Sequence, residues 1–182
     1  MPIEQRLVDY YKKLLQETEP AQVLEVGSGW GIFTRSCIEY TNAHITTVDK
    51  IGGYGLPLFV EHTTGFEDRF ERIEEDSHTL LPGKEEAWHE RFQFIFVDAD
   101  HTQNGASKDL TYAWPLLAPG GMLMVDDVFH KENWRCYKHE EAEFSFGVTR
   151  AVWGFLQAHH QEFDGDIKII PEAHGLVVVK KK

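Results

Sequence analysis

The sequence predicts an α/β fold, a mainly parallel sheet with helices on both of its faces. Two observations bear on it: short β-like apolar runs alternate with helix-like segments along the chain, which implies the sheet, and the first five runs end in a glycine loop or near a carboxylate, which points to a site at the strand ends. The first segment, Ile3 to Thr18, carries Ile3, Leu7, Tyr10, Tyr11, Leu14 and Leu15 at helical spacing. Val23 to Val26 reads as a short buried strand, and Ile32 to Tyr40 as the helix after it. Ile45 to Val48 forms a second strand ending at Asp49; Ile51 to Gly55 is loop-like, and Leu56 to Thr64 is helical. Phe70 to Glu74 is a weak third strand that ends near Asp76 and Ser77, followed by a short helix from Glu85 to Phe92. Phe94 to Val97 is a fourth strand ending at Asp98, and Ser107 to Leu117 the next helix. Ala118-Pro119-Gly120-Gly121 breaks that helix, and Met122 to Val125 forms a fifth strand ending at Asp126 and Asp127. Val148 to His160 fits a last helix, and Ile167 to Ile170 with Leu176 to Val179 a closing hairpin.

Length and composition bound what such a fold can do. A chain of 182 residues, 42% hydrophobic, suits a single domain over 1–182, with no linker or internal repeat. A net charge of −12 argues against a surface that tracks phosphates, so nucleic acid is not an expected partner and small molecules are. Two cysteines, Cys37 and Cys136, are too few for a disulfide framework and fit a reducing compartment. With neither a secretory h-region nor an apolar run of about 20 residues, the expectation is a soluble, cytoplasmic protein without membrane partners. Whether it works alone or as a homodimer is open.

In open parallel sheets, ligands bind outside the carboxyl ends of the strands, near the point where strand order reverses. Here the first strand ends in Val23-Leu24-Glu25-Val26-Gly27-Ser28-Gly29-Trp30-Gly31. Missing Cβ atoms let a backbone turn sharply and let a ligand approach it, while the helix that follows offers free N–H groups. Asp49 lies 24 residues beyond Glu25, near the spacing at which an acid accepts hydrogen bonds from ribose hydroxyls. Trp30 either shields a cofactor or packs on the sheet.

The glycine spacing departs from G-x-G-x-x-G, and an acid stands two residues before the first glycine. That pattern resembles the first motif of the class I S-adenosylmethionine-dependent methyltransferases, and the likeness extends over nearly the whole chain, including Leu116-Leu117-Ala118-Pro119-Gly120-Gly121 before strand five. The resemblance implies a Rossmann-like three-layer sandwich with a mostly parallel seven-stranded sheet, order 3-2-1-4-5-7-6, its last strand antiparallel. It implies a cofactor site of Glu25, Gly27, Ser28, Gly29, Asp49, Asp76, Ser77 and Asp98, with Glu25 at the open end of its strand facing the cationic methionine end of S-adenosylmethionine and Asp76 and Ser77 beside the adenine.

Phe96-Val97-Asp98-Ala99-Asp100-His101 and Leu123-Met124-Val125-Asp126-Asp127 resemble the metal-dependent O-methyltransferases, the macrocin-type sugar enzymes more than the catechol type. In catechol-type enzymes a Lys stands where His101 stands and an Asn where Asp127 stands. By this resemblance Asp98, Asp126 and Asp127 would hold one Mg²⁺. Three clustered carboxylates repel unless a cation joins them, and oxygen ligands suit Mg²⁺, Ca²⁺ or Mn²⁺. The expected reaction is Mg-assisted O-methylation of a small hydroxylated metabolite. The proton acceptor is Asp100, favoured by analogy with the sugar enzymes, or His101, whose intrinsic pKa is near 6.5. Other readings stay open: a metal-independent methyltransferase acting on another atom, a non-catalytic cofactor-binding protein of the same fold, and a nicotinamide enzyme, which the glycine spacing disfavours. The stretch from Val128 to Phe146, aromatic and charged, is the candidate acceptor lid.

Overall fold

A computed structural model describes residues 3–50, 52, 55–129, 146–171 and 174–182. The proposed lid lies outside the described residues between 130 and 145, as do positions 51, 53 and 54 of the loop after the second strand. The described chain runs α1 (Ile3–Thr18), β1 (Gln22–Val26), α2 (Ile32–Tyr40), β2 (His44–Asp49), α3 (Leu56–Thr63), β3 (Phe70–Glu74), α4 (Ser77–Trp88), β4 (Phe92–Val97), α5 (Gln103–Ala113), β5 (Leu117–Val125), α6 (Gly147–His159), β6 (Lys168–Ile170) and β7 (Leu176–Lys180).

The sheet has seven strands in the order β3-β2-β1-β4-β5-β7-β6. The strands from β3 to β5 pair in parallel, whereas β7 is antiparallel to both β5 and β6. Alternation along each strand divides the core between two faces. Val23, Ile45, Phe94, Phe96 and Val178 pack with Tyr11, Leu15, Phe33 and Cys37 of α1 and α2. Leu24, Val48, Ile95, Val97 and Val177 pack on the other face with Leu81, Leu110 and Phe155 of α4, α5 and α6. Both faces of β1 and β4 are therefore covered, which is why these strands read as apolar runs rather than as alternating ones. Order reverses between β1 and β4, so the C-terminal ends of β1, β2, β4 and β5 frame one mouth.

Three boundaries differ from the sequence expectation. Helix α4 starts at Ser77 rather than Glu85 and runs through Pro82. Asp76 caps it by accepting the His78 N–H at 2.9 Å, and burial of Leu80 and Leu81 outweighs the backbone hydrogen bond that proline removes. Phe92 belongs to β4, paired with Leu117, and not to a helix. Helix α5 begins at Gln103, where the Thr102 hydroxyl accepts the Gly105 N–H at 2.9 Å, and a 3-10 turn at Trp114–Leu116 leads into β5 before the Pro-Gly-Gly stretch.

Candidate active site

The glycine loop is shaped by a crossing of backbones. Gly27 has φ +89° and its N–H donates to the Val48 carbonyl at 2.9 Å, while Asp98 N–H donates to the Val26 carbonyl at 2.8 Å. A Cβ at Gly27 would run into the carbonyl of Asp98 and the Cα of Ala99. Gly29 differs: with φ +43°, a Cβ there would meet nothing within 4 Å, so this glycine faces open space. Helix α2 then starts after Gly31 without a side-chain cap, leaving its first N–H groups without side-chain acceptors.

Asp49 ties the loop to β2. Its Oδ2 accepts from Ser28 N–H (3.1 Å), Ser28 Oγ (2.7 Å) and Gly29 N–H (3.0 Å), and its Oδ1 accepts from Lys50 N–H (2.8 Å). Glu25 lies at the end of β1 but is sealed rather than open, with 1% of its surface exposed, and it accepts a hydrogen bond from the Thr34 hydroxyl of α2. Burial pushes its pKa up to about 8, against the pull of the Thr34 hydrogen bond and with the help of the Asp98 and Asp49 charges. Trp30 is 42% exposed, so it stands out of the loop rather than packing on the sheet.

Asp76 lies 3.4 Å from Lys50 Nζ. Although burial opposes ionisation, the His78 N–H and Lys50 hold it below the ordinary carboxylate value. The Ser77 hydroxyl is committed to Asp109, donating to Oδ1 at 2.6 Å. Asp109 is fully buried in α5 and also accepts from Asp100 N–H at 3.4 Å, thereby bracing the turns after β3 and β4 against each other. Burial raises its pKa. A lone acid within a helical stretch gave no sequence signal of this role.

At the other half of the mouth, His101 Nε2 sits 3.3 Å from Asp98 Oδ1 and 3.2 Å from Asp127 Oδ2. These three side chains each offer a ligand atom, all within 4.8 Å of one another. Asp127 has φ +59°, and its second oxygen, Oδ1, lies 3.0 Å from His174 Nδ1 in the turn between β6 and β7. Asp126 is bonded through both oxygens: its Oδ1 accepts Asp127 N–H at 2.7 Å and its Oδ2 accepts the Tyr11 hydroxyl of α1 at 3.4 Å. Burial, together with the charges of Asp98 and Asp127, raises the Asp126 pKa well above the ordinary value. Burial also raises that of Asp98, while the His101 hydrogen bond opposes it. Burial disfavours a charged His101 ring, yet the Asp98 hydrogen bond and the surrounding carboxylates outweigh it and push the pKa up to about 9.

The two candidate proton acceptors are separated. Asp100 Oδ1 accepts the Thr102 N–H at 2.8 Å, and its carboxyl lies against Gly105 in the first turn of α5, where a Cβ would collide with it. His101, not Asp100, is the member of the pair that meets the carboxylates. Tyr11 and His174 were not foreseen: Tyr11 lies on the apolar stripe of α1 and reads as core, and His174 comes from a turn 47 residues beyond Asp127.

A family model for the methyltransferase domain matches residues 24–128, from Leu24 in β1 to just past Asp127. The chain belongs to the methyltransferase-domain family. Solved structures share its fold, that of the class I S-adenosylmethionine-dependent methyltransferases. An S-adenosylhomocysteine-bound methyltransferase, PaMTH1 from Podospora anserina, is 21% identical with a TM-score of 0.72, covering 97% of this chain and 78% of that one. An O-methyltransferase from Bacillus cereus in complex with S-adenosylhomocysteine is 18% identical with a TM-score of 0.75, covering 97% and 81%. Cofactor-bound Rv0187 from MTB is 17% identical with a TM-score of 0.75, covering 97% and 79%. No curated protein sequence gives a significant match. Among the described residues of this methyltransferase, no helix is long and apolar enough to cross a membrane.

Proposed function

We propose that this methyltransferase transfers the methyl group of S-adenosylmethionine to a hydroxyl of a small molecule, with a divalent cation held at the ends of β4 and β5. The observation that carries the reading is the meeting of Asp98 and Asp127 beside the glycine loop, where Asp98 also closes the backbone crossing at Gly27. The residues fit both groups: Gly29 leaves open space over a turn whose N–H groups point to Asp49, and the oxygen donors of Asp98 and Asp127 suit a divalent ion. Neighbours bound to S-adenosylhomocysteine on the same fold support the cofactor.

Glu25, Gly27, Ser28, Gly29 and Asp49 form the cofactor half of the proposed site, with Asp76 and Ser77 toward the adenine. The Ser77 hydroxyl is already bonded to Asp109, so Ser77 contributes to that half through its backbone. Glu25, shut beneath the loop and bonded to Thr34, would favour the ammonium end of the cofactor only through its charge when ionised. In the transfer, the acceptor oxygen bonds the methyl carbon as the carbon–sulfur bond breaks, S-adenosylhomocysteine leaves, and the hydroxyl proton passes to water. A cation held by Asp98 and Asp127, Mg²⁺ in the simplest case, would supply Lewis acidity that lowers the pKa of that hydroxyl. Asp98 and Asp127 fix the acceptor side of the mouth, and proximity to the glycine loop supplies the alignment.

One observation favours the metal-independent alternative: a charged His101 between Asp98 and Asp127 already compensates their repulsion. Calorimetric titration of S-adenosylhomocysteine, with Mg²⁺ and after exhaustive chelation, separates the readings. The proposal expects binding that strengthens with Mg²⁺, and a loss of at least about tenfold in affinity in Asp49→Ala, the scale of one lost charge-assisted hydrogen bond. Binding and turnover that ignore chelation would favour the alternative. No binding in either condition would sink the cofactor reading.

A further inference from the structure

We infer that the cleft between α3 and the edge strand β3 is a second small-molecule site, separate from the strand-end mouth, and that it takes an uncharged aromatic compound bearing a carbonyl oxygen.

The cleft is a cavity of about 310 Å³, at the small end of the range for ligand pockets. It lies at the border of the sheet, where β3 is the outermost strand, and none of the residues lining it belongs to the proposed cofactor or cation sites. Its floor is aromatic: Phe59 of α3 meets Phe70 of β3 edge to face, with ring centroids 5.6 Å apart, and Leu56 and Val60 add aliphatic walls. Phe59 is buried and backed by the glycine loop, since a Cβ at Gly31 would stand 2.9 Å from its ring and 3.2 Å from its Cα. The floor is therefore in place before any ligand arrives.

The polar groups of the cleft select the head group of the ligand. Arg72 is the one cation in the lining, and its side chain is only 10% exposed. The guanidinium lies over Phe59, with Cζ 5.2 Å from the ring centroid. Its Nη1 donates to Glu74, whereas the buried Nε donates to nothing among the described residues. A guanidinium carries five N–H donors, and a buried donor left without an acceptor is costly, so a ligand oxygen at the edge that Glu74 leaves would be favoured. The Thr63 and Thr64 hydroxyls donate to the Phe59 and Val60 carbonyls at 2.8 and 2.6 Å, which leaves Arg72 as the donor a ligand meets.

Two acids share the lining with it. Glu74 is committed to Arg72, and Glu67 accepts the Gly65 N–H at 2.9 Å, a bond that holds its carboxyl below the ordinary value. One cation against two carboxylates repels an anionic head, and the guanidinium repels an ammonium. A carbonyl oxygen accepts from Arg72 without adding charge, while an aromatic body covers the Phe59 and Phe70 pair.

Heteronuclear NMR on the full chain, following the Arg72 Nε–H resonance and the backbone amides of α3 and β3, tests the inference with three probes of one shape: 2-naphthamide, 2-naphthoate and 2-naphthylmethylamine. We expect saturable shifts with the amide, which should bind at least about threefold more tightly than either charged probe, and no displacement by saturating S-adenosylhomocysteine. Arg72→Met, which keeps an apolar side chain over Phe59, should weaken the amide at least about tenfold. Val60→Trp, at a position 54% exposed, should block the cleft without lowering the melting temperature. These two variants locate the ligand whether or not the cofactor reading holds. Absence of saturable shifts at Phe59, Phe70 and Arg72, or a naphthoate that binds more tightly than the amide, would overturn the inference. So would displacement of the amide by S-adenosylhomocysteine, which would put the ligand in the mouth, or amide binding that survives both substitutions.

Discussion

The two halves of the strand-end mouth are built on different principles. On the side of β1 and β2, a carboxylate serves the backbone: Asp49 gathers the N–H groups of Ser28, Gly29 and Lys50, and Glu25 is shut beneath the loop with Thr34. On the side of β4 and β5, carboxylates meet one another and two histidines, and among the described residues no comparable set of backbone donors neutralises them. One half is a shaped main-chain turn with its carboxylates bonded to the chain; the other gathers carboxylates around His101, the positive partner that lies between Asp98 and Asp127. The first suits a ligand recognised by shape and hydrogen bonding, the second a cation.

The sharpest way to break this comparison is at the two glycines of the shaped half. Gly27→Ala requires a side chain at φ +89° and in collision with the backbone of Asp98 and Ala99. Its expected cost is several kcal/mol of stability, measured by denaturant unfolding, since neither backbone can retreat cheaply. Gly29→Ala meets no atom, so only the left-handed backbone penalty of about 1 kcal/mol should appear in stability. Its added methyl projects into the open space over the loop, and S-adenosylhomocysteine affinity should fall while the fold survives. Equal stability losses at both positions would erase the distinction between the glycine that shapes the loop and the glycine that faces a ligand.

Glu25 gives a smaller, pH-dependent effect. Its pKa rises from 4.5 to about 8 on folding, so the folded state holds the proton more tightly than the unfolded chain does. The contribution of this group to stability is therefore fully present below about pH 4.5 and is lost as pH rises through about 8, a change on the order of a few kcal/mol. Melting temperature against pH should decline across that window in the wild type, and the decline should be flatter in Glu25→Gln. Parallel profiles for the two proteins would show that another group carries the dependence.

What the sequence made legible follows the same division. The shaped half is local: Glu25 to Gly31 and Asp49 belong to consecutive elements, and glycine spacing after an apolar run announces a strand-to-helix turn before any tertiary contact is known. The strand order and the antiparallel β7 followed from the family resemblance and are present in the sheet. The charged half was legible only in its acids. Its histidine and tyrosine partners arrive from distant elements, Tyr11 from α1 and His174 from the β6–β7 turn, and no periodicity marks an apolar-stripe tyrosine as a hydrogen-bond donor to an acid 115 positions away. The α4 boundary was misplaced for a related reason, because Pro82 reads as a breaker locally while the capping carboxylate of Asp76 and the buried Leu81 decide the helix.

The smallest expected effect probes the contact that joins α1 to the charged half. Tyr11 packs edge-on against Phe33 and Phe96 at ring separations of 5.2 and 5.6 Å, and its hydroxyl donates to Asp126 Oδ2 at 3.4 Å. Tyr11→Phe keeps the ring packing and removes only the donor. At that length the hydrogen bond contributes about 1 kcal/mol or less, so stability should change little. The effect belongs instead in the geometry of Asp126: freed from Tyr11, Oδ2 could turn toward Asp98 and Asp127, joining the oxygen set and strengthening Mg²⁺ binding relative to the wild type. Unchanged Mg²⁺ affinity in Tyr11→Phe would mean that the Asp127 N–H alone holds Asp126 aside, and that α1 contributes packing to the mouth and nothing to its ion binding.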